Sequence, residues 1–220
     1  MNDLANAIHV RAVTSADLDA LGAIHRLAFT DSLASALGIG YLRLYYHWFI
    51  ESPRAVSFVA ERDGAIIGFV VGTDNARIYY DELYGARRPA MMRAMILGIV
   101  THPAAILRLA RMVGLVREIA RRQIARRLKK RPAPSAQNMP PAPPRQNATL
   151  VSIAIHPDAQ GSGASTPLMR AFVDACAARA VPVIHLSVRA DNARAIRFYE
   201  REGWTRYRTS GEMAHYEIVL

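Results

Sequence analysis

His156-Pro157-Asp158-Ala159-Gln160-Gly161-Ser162-Gly163-Ala164-Ser165 and Asn192-Ala193-Arg194-Ala195-Ile196-Arg197-Phe198-Tyr199-Glu200-Arg201-Glu202-Gly203-Trp204 are two separated patterns that make joint chemical sense. The first leaves the apolar, β-branched run Leu150-Val151-Ser152-Ile153-Ala154-Ile155. His156-Pro157 ends that run, so residues 150–155 read as a buried strand. After the loop, Leu168, Met169, Phe172, Val173 and Cys176 recur at helical spacing, with Ser165 or Thr166 as the cap and Pro167 in the first turn. Strand, glycine loop and helix N-terminus together make an anion site. Gly161 and Gly163 let the backbone approach a phosphate, and the free N–H groups of the first helical turn point at it. Taken alone, such a loop is as readily a plain turn before a helix.

The second pattern follows residues 183–188, a strand on which Leu186 and Val188 share a face. From Asn192, the residues Ala195, Ile196, Phe198 and Tyr199 mark a helix that Gly203 stops. Asn192 reads as an N-cap or as a ligand contact, and Tyr199 as a core aromatic with a bonded hydroxyl or as a reacting group.

Together the two patterns resemble the cofactor-binding half of the GNAT superfamily of acyl-CoA-dependent N-acyltransferases. The resemblance implies a mixed α/β (α+β) sheet with a splayed central strand pair, acetyl-CoA as acyl donor, and direct transfer to a primary amine in a ternary complex. The family's loop, Gln/Arg-x-x-Gly-x-Gly/Ala, binds the pyrophosphate of coenzyme A, and Gln160, Gly163 and Ser165 fill its three positions. Gly161, Ser162, Ala164 and Thr166 belong to the same implied cradle. Serine at 165 departs from the pattern: its hydroxyl can cap the helix, while its bulk restricts a phosphate. The bulged strand implies backbone pairing of Ile153, Ala154 and Ile155 with the pantetheine arm. One N–H there, by position that of Ile153, would stabilise charge developing on the thioester oxygen. In the Phe-Tyr-x-x-x-Gly-Phe/Trp pattern the tyrosine reaches the cofactor sulfur, which makes Tyr199 the general acid and Asn192 a cofactor contact.

One expected group is missing. Many relatives carry a glutamate in Leu-Glu-Val-Arg, where this chain reads Leu186-Ser187-Val188-Arg189. His185 shares the face of Ser187 and is either a base acting through water or a structural histidine. Asp74, Asp81 and Glu82 are weaker candidates.

The N-terminal third agrees with this opening. Residues 8–13 alternate as a strand, Thr14-Ser15-Ala16-Asp17 reads as a helix start, and Leu18, Leu21, Ile24 and His25 keep helical spacing. A second helix is expected over residues 35–50, whose Tyr41, Tyr45, Tyr46, Trp48 and Phe49 either wall an acceptor site or pack the helix. Residues 56–61 and 66–71 then form a hairpin about Asp63-Gly64.

Composition sets the outer bounds. At 220 residues the chain is read as one domain, 1–220, able to bury a core without staples. Its single cysteine, Cys176, excludes an internal disulfide and reads as packing. No secretory signal is visible and no apolar run approaches the ~20 residues of a membrane span, so a cytoplasmic location is expected.

The charge is concentrated. Residues 85–131 hold 13 Arg and Lys against one acid, Glu118, a net of +12 in a chain whose total is +10. The remainder therefore sums to −2, and the basic character belongs to an insertion, 85–147, and not to the catalytic body. Within it, residues 103–130 are helix-like, with Ile106, Leu109, Val113, Val116, Ala120, Ile124 and Leu128 in one stripe and arginines elsewhere. Residues 133–147 carry five prolines and read as an extended connector. Such a helix packs on its own domain or makes peripheral contact, through residues 85–131, with an anionic membrane or an acidic partner. The lack of interleaved aromatics weighs against nucleic acid. The acceptor stays open, with an acidic or membrane-associated amino sugar among the candidates. The alternative to an N-acetyltransferase is a non-catalytic acyl-CoA-binding module.

Overall fold

A hairpin anchors the sheet. Asp63 and Gly64 take φ of 53° and 76°, the left-handed pair that a two-residue turn of a twisted hairpin requires. They join β2 (Ala55–Arg62) to β3 (Ala65–Thr73), and β1 (His9–Ala12) adds antiparallel to β2. β4 (Ala148–Ile155) pairs with the far side of β3, followed by β5 (Val183–Arg189), then the hairpin of β6 (Thr205–Ser210) and β7 (Met213–Val219). The result is one seven-stranded mixed sheet in the order β1-β2-β3-β4-β5-β7-β6. This computed structural model describes residues 7–82, 88–101 and 147–220. The basic helix read over 103–130 and the proline-rich connector before Asn147 lie outside the described residues.

The expected splay is present. β4 and β5 pair in parallel at two positions, Ala148 with Ile184 and Thr149 with His185, and then part. On its other edge β4 stays paired with β3 as far as Ile155, but Val71 faces Ser152 while Gly72 faces Leu150, so Val151 is extra. A bulge of this kind bends its strand and increases the local twist. Gly72 is needed beside it, because a Cβ there would stand 2.3 Å from the Thr149 carbonyl oxygen and 2.5 Å from the Phe172 ring.

Helices cover both faces. α1 (Leu18–Ala28), α2 (Leu33–Ala36) and α3 (Ile39–Glu51) come first, then α4 (Ala76–Asp81), α5 (Arg88–Thr101), α6 (Ser165–Ala178) and α7 (Ala193–Arg201). The helix read over 35–50 is broken at Gly38, whose φ of 88° interrupts it and yields α2 and α3. Thr14 and Asp17 do form a capping box, on a 3-10 turn that precedes α1.

Two cores result. Leu168, Phe172 and Cys176 of α6 pack with Val70, Leu150, Ile184, Leu186 and Tyr216 on one face. Leu21 and Ile24 of α1 and Tyr46, Trp48 and Phe49 of α3 pack with Val59, Phe69 and Ala154 on the other. Those aromatics therefore fill core, with Tyr46 edge-on to Phe69 at 5.3 Å. Cys176 is fully buried, and burial pushes its thiol up to about 12. Among the described residues, no helix is long and apolar enough to cross a membrane.

Candidate active site

Where β4 and β5 part, a cleft of about 590 Å³ opens. Ile153, Ala154 and Ile155 of β4 line it, with Gln160, Gly161, Gly163, Ser165 and Thr166 from the loop and the start of α6. Asn192, Ala195, Phe198 and Tyr199 of α7 form another wall, and Leu27, Ala28 and Phe29 at the end of α1 a third.

Each wall has a local cause. Along residues 150–155 the edge of β4 facing β5 has no strand partner among the described residues. Its peptide groups are thus available to an extended ligand, as on any open strand edge. Gly161 and Gly163 take φ of 85° and 84°. No atom lies within 4 Å of a Cβ added at either, so backbone conformation and not crowding demands glycine, and the space over the loop is open.

The cap of α6 differs from the sequence reading. Neither Ser165 nor Thr166 caps it: the helix starts at Ser165, and the N-cap position is Ala164, already helical at φ −61° and ψ −23°. No side chain of the N-cap residue caps the first turn. Pro167 has no N–H and the Thr166 N–H donates to the Gly163 carbonyl at 3.4 Å, so the Ser165 N–H and the positive end of the helix dipole are what is left for an external anion. The Thr166 hydroxyl donates to Glu202 Oε1 at 2.7 Å, tying the start of α6 to the end of α7. Two expected cradle residues do not line the cleft. Ala164 is 1% exposed beneath the loop, and Ser162 Oγ accepts from the Ala164 N–H at 3.4 Å.

On α7 both readings of Asn192 hold together. Its Oδ1 accepts from the Ala195 N–H at 3.1 Å as an N-cap, and the residue still lines the cleft. Tyr199 is 7% exposed, its ring 6.2 Å from both Trp204 and Tyr216. Burial pushes its phenol up to about 12, and among the described residues its hydroxyl has no hydrogen-bond partner.

Three cationic lining residues were given no site role by the sequence reading, Arg194, Arg197 and Arg201, and neither were Leu27, Ala28 and Phe29 at the end of α1. Arg194 donates to Gln160 Oε1, joining α7 to the glycine loop. The i, i+3, i+7 spacing of the arginines was the available signal for a shared helix face. Among the described lining residues there is no carboxylate and no imidazole.

The base candidates lie elsewhere. Asp74 is buried between Arg179 at 3.0 Å and Arg54 at 3.8 Å. Glu82 accepts from Trp48 Nε1 at 2.9 Å, and Asp81 is exposed at the end of α4. His185 Nε2 is 3.1 Å from Asn147 Nδ2, and the imidazole sits edge-on to Tyr207. None of the four lines the cleft.

The Acetyltransferase (GNAT) family profile matches residues 112–204. A [ribosomal protein bS18]-alanine N-acetyltransferase of Escherichia coli (strain K12) is 42% identical over 57 residues, which are 26% of this chain and 38% of that protein. The match thus spans little more than a third of the curated relative's length. Two solved structures share the fold nearly end to end. PaiA N-acetyltransferase from Thermoplasma acidophilum, in complex with coenzyme A, superposes with a TM-score of 0.54 at 12% identity, covering 97% of this chain and 99% of that one. The putative acetyltransferase yncA from Salmonella typhimurium, with acetyl-CoA, gives 0.55 at 13% identity over 97% and 94%.

Proposed function

We propose that this chain, whose residues 112–204 match the GNAT acetyltransferase family profile, moves an acetyl group from acetyl-CoA to a primary amine by direct attack in a ternary complex. One observation carries this reading: the open edge of β4, the glycine loop, the uncapped start of α6 and Tyr199 all border a single cleft. The loop amides take the pyrophosphate, and the edge of β4 takes the pantetheine arm as an added strand would. As the amine attacks the thioester carbon, the Ile153 N–H stabilises the oxygen anion. On collapse the C–S bond breaks and the thiolate takes the Tyr199 proton. A phenol near 12 is a weak acid, but a thiolate in the same desolvated cleft is raised alongside it, as Cys176 is.

The acceptor follows from proton affinity. With no base lining the cleft among the described residues, an amine that is substantially neutral near pH 7 is favoured. A peptide α-amine, pKa about 8, offers roughly 200 times more free base near pH 7 than a lysine near 10.4. The Escherichia coli relative is named for an alanine acceptor, and a peptide N-terminus is the acceptor class proposed here, ahead of the amino sugar.

A partner is part of the same proposal. We read 1–220 as one catalytic domain carrying 85–147 as an insertion whose basic part, 85–131, has a +12 charge that seeks an anionic surface. α5 turns Met91 inward and seats Gly98 against the Leu37 backbone. It leaves Met92, Ile96, Leu97 and Val100 exposed on its outer face, at 42% to 74%. Aliphatic side chains beside a dense run of cations suit an anionic lipid interface better than a phosphate backbone.

The alternative, acyl-CoA binding without transfer, is favoured by the same base-free lining. Calorimetry with acetyl-CoA and thiol release with an added N-terminal peptide amine separate the two. Binding with turnover supports the transferase, binding without turnover under any amine supports the module, and no binding by folded protein removes both.

A further inference from the structure

A transferase of this kind needs a proton acceptor beside the attacking amine, and the cleft lining does not supply one among the described residues. Outside that lining, at the fork of β4 and β5, stands a serine–histidine pair. Ile184, Leu186 and Val188 face the α6 core, so Ser187 lies on the opposite sheet face, the one α1 and α3 cover farther along. Ser187 is two residues beyond the last β4 partner, His185, on the freed edge of β5, and it is exposed. Across the ladder its partner on β7 is His215, with Ser187 Oγ and His215 Nδ1 2.8 Å apart. The other ring nitrogen, Nε2, is buried with no hydrogen-bond partner among the described residues.

No other described imidazole combines these features. His25 is enclosed between Tyr46 Oη at 2.6 Å and Ser32 Oγ at 3.2 Å. His47 faces Glu51 at 3.2 Å and His156 lies 3.7 Å from Asp158. His185 also has a buried ring nitrogen without a hydrogen-bond partner among the described residues, Nδ1, but it stands where β5 is still paired with β4, and its Nε2 is 3.1 Å from Asn147 Nδ2 and not beside a hydroxyl on the freed edge. His9 is in β1, at the far edge of the sheet.

We infer that Ser187 and His215 form a proton relay that receives the proton of the attacking amine, Ser187 touching the amine and His215 standing behind it. The inference rests on the transferase reading. As the N–C bond forms, the carbonyl π pair moves to oxygen and the amine proton passes to Ser187 Oγ. The Ser187 hydroxyl proton passes to His215 Nδ1, which becomes imidazolium. Collapse then releases thiolate, which Tyr199 protonates, and His215 and Tyr199 return to their starting states by exchange with solvent. Ser187 is therefore the catalytic contact and His215 acts through it.

The surroundings favour a neutral, competent imidazole. Besides Ser187, His185 and Arg189 lie on this face of β5, Tyr207 and Arg208 on β6, and Glu217 on β7 itself. Burial, with Arg208 adding to it, lowers the imidazole below its ordinary 6.5. A base of that strength matches an α-amine far better than a lysine.

The test compares wild type, Ser187→Ala, His215→Gln and the double variant Ser187→Glu/His215→Gln, using acetyl-CoA and an N-terminal peptide amine. Both single variants should bind acetyl-CoA as wild type does while kcat/KM at pH 7 falls on the order of 100-fold. In His215→Gln the inflection below 6.5 that the imidazole adds to the acidic limb should vanish, leaving the limb near about 8 that the free amine itself sets. The double variant should recover at least about tenfold, since a carboxylate at the same edge can take the proton directly. Wild-type kcat/KM and an unaltered profile in His215→Gln overturn the relay and leave the transferase standing. No turnover by wild type that binds acetyl-CoA overturns both.

Discussion

Tyr199 and Asp17 show how burial and partners set the roles of single side chains. Tyr199 keeps its proton at any physiological pH because its phenol is buried and raised to about 12. Tyr199→Phe should therefore lower kcat about 100-fold with acetyl-CoA affinity unchanged, read by steady-state kinetics beside calorimetry. Asp17 is the opposite case. Arg11 holds its carboxylate with two bonds at 2.8 and 2.9 Å, and the Thr14 N–H donates at 2.7 Å. The Arg11 bonds lead in bringing its pKa down to about 2. A depressed carboxylate stabilises the fold fully above its unfolded value near 3.9 and loses that contribution as pH falls toward 2. Asp17→Asn should cost about 2 kcal/mol at pH 7 and flatten the stability decline between pH 4 and 2, measured by urea unfolding. The capping box was legible in Thr14 to Asp17, whereas Arg11 as partner was not, because it reaches across from β1.

At the scale of elements, the proposed anion site lies at the junction of the glycine loop and α6. Gly163→Glu puts a side chain at φ 84° and a negative charge into the cradle, and it should abolish acetyl-CoA binding while the protein stays folded. Arg194 and Arg197 on α7 supply cations outside the glycine loop. Replacing both by Gln should weaken acetyl-CoA about tenfold and flatten the dependence of affinity on salt, as loss of exposed charge attraction requires. Calorimetry at two ionic strengths reads both effects. The existence of these elements was plain in the sequence, but their junctions were not. The cap fell on Ala164 because the glycine turn had already delivered helical backbone there, a feature no side-chain preference announces.

For the whole molecule, the charge imbalance is the property to test. The full chain should pellet with vesicles containing anionic lipid and not with neutral ones, and the double substitution Ile96→Glu/Leu97→Glu should reduce binding at least about fivefold. Equal binding to neutral vesicles, or none to anionic ones, would remove the membrane from the proposal. The amino-acid sequence by itself determined the elements that local chemistry controls. Alternating apolar residues placed the strands, glycines at 161 and 163 placed the turn before α6, and the Asn192 to Gly203 pattern placed Tyr199 on its helix. It also carried the family resemblance, because those motifs are short and contiguous. Tertiary structure alone decided what depends on chain segments far apart in sequence. The two-residue contact of β4 with β5 opened the cleft, the end of α1 closed one side of it, and β7 set His215 opposite Ser187. Pairing across tens of residues is chosen by packing of the whole sheet, and no local pattern encodes which strand becomes whose neighbour.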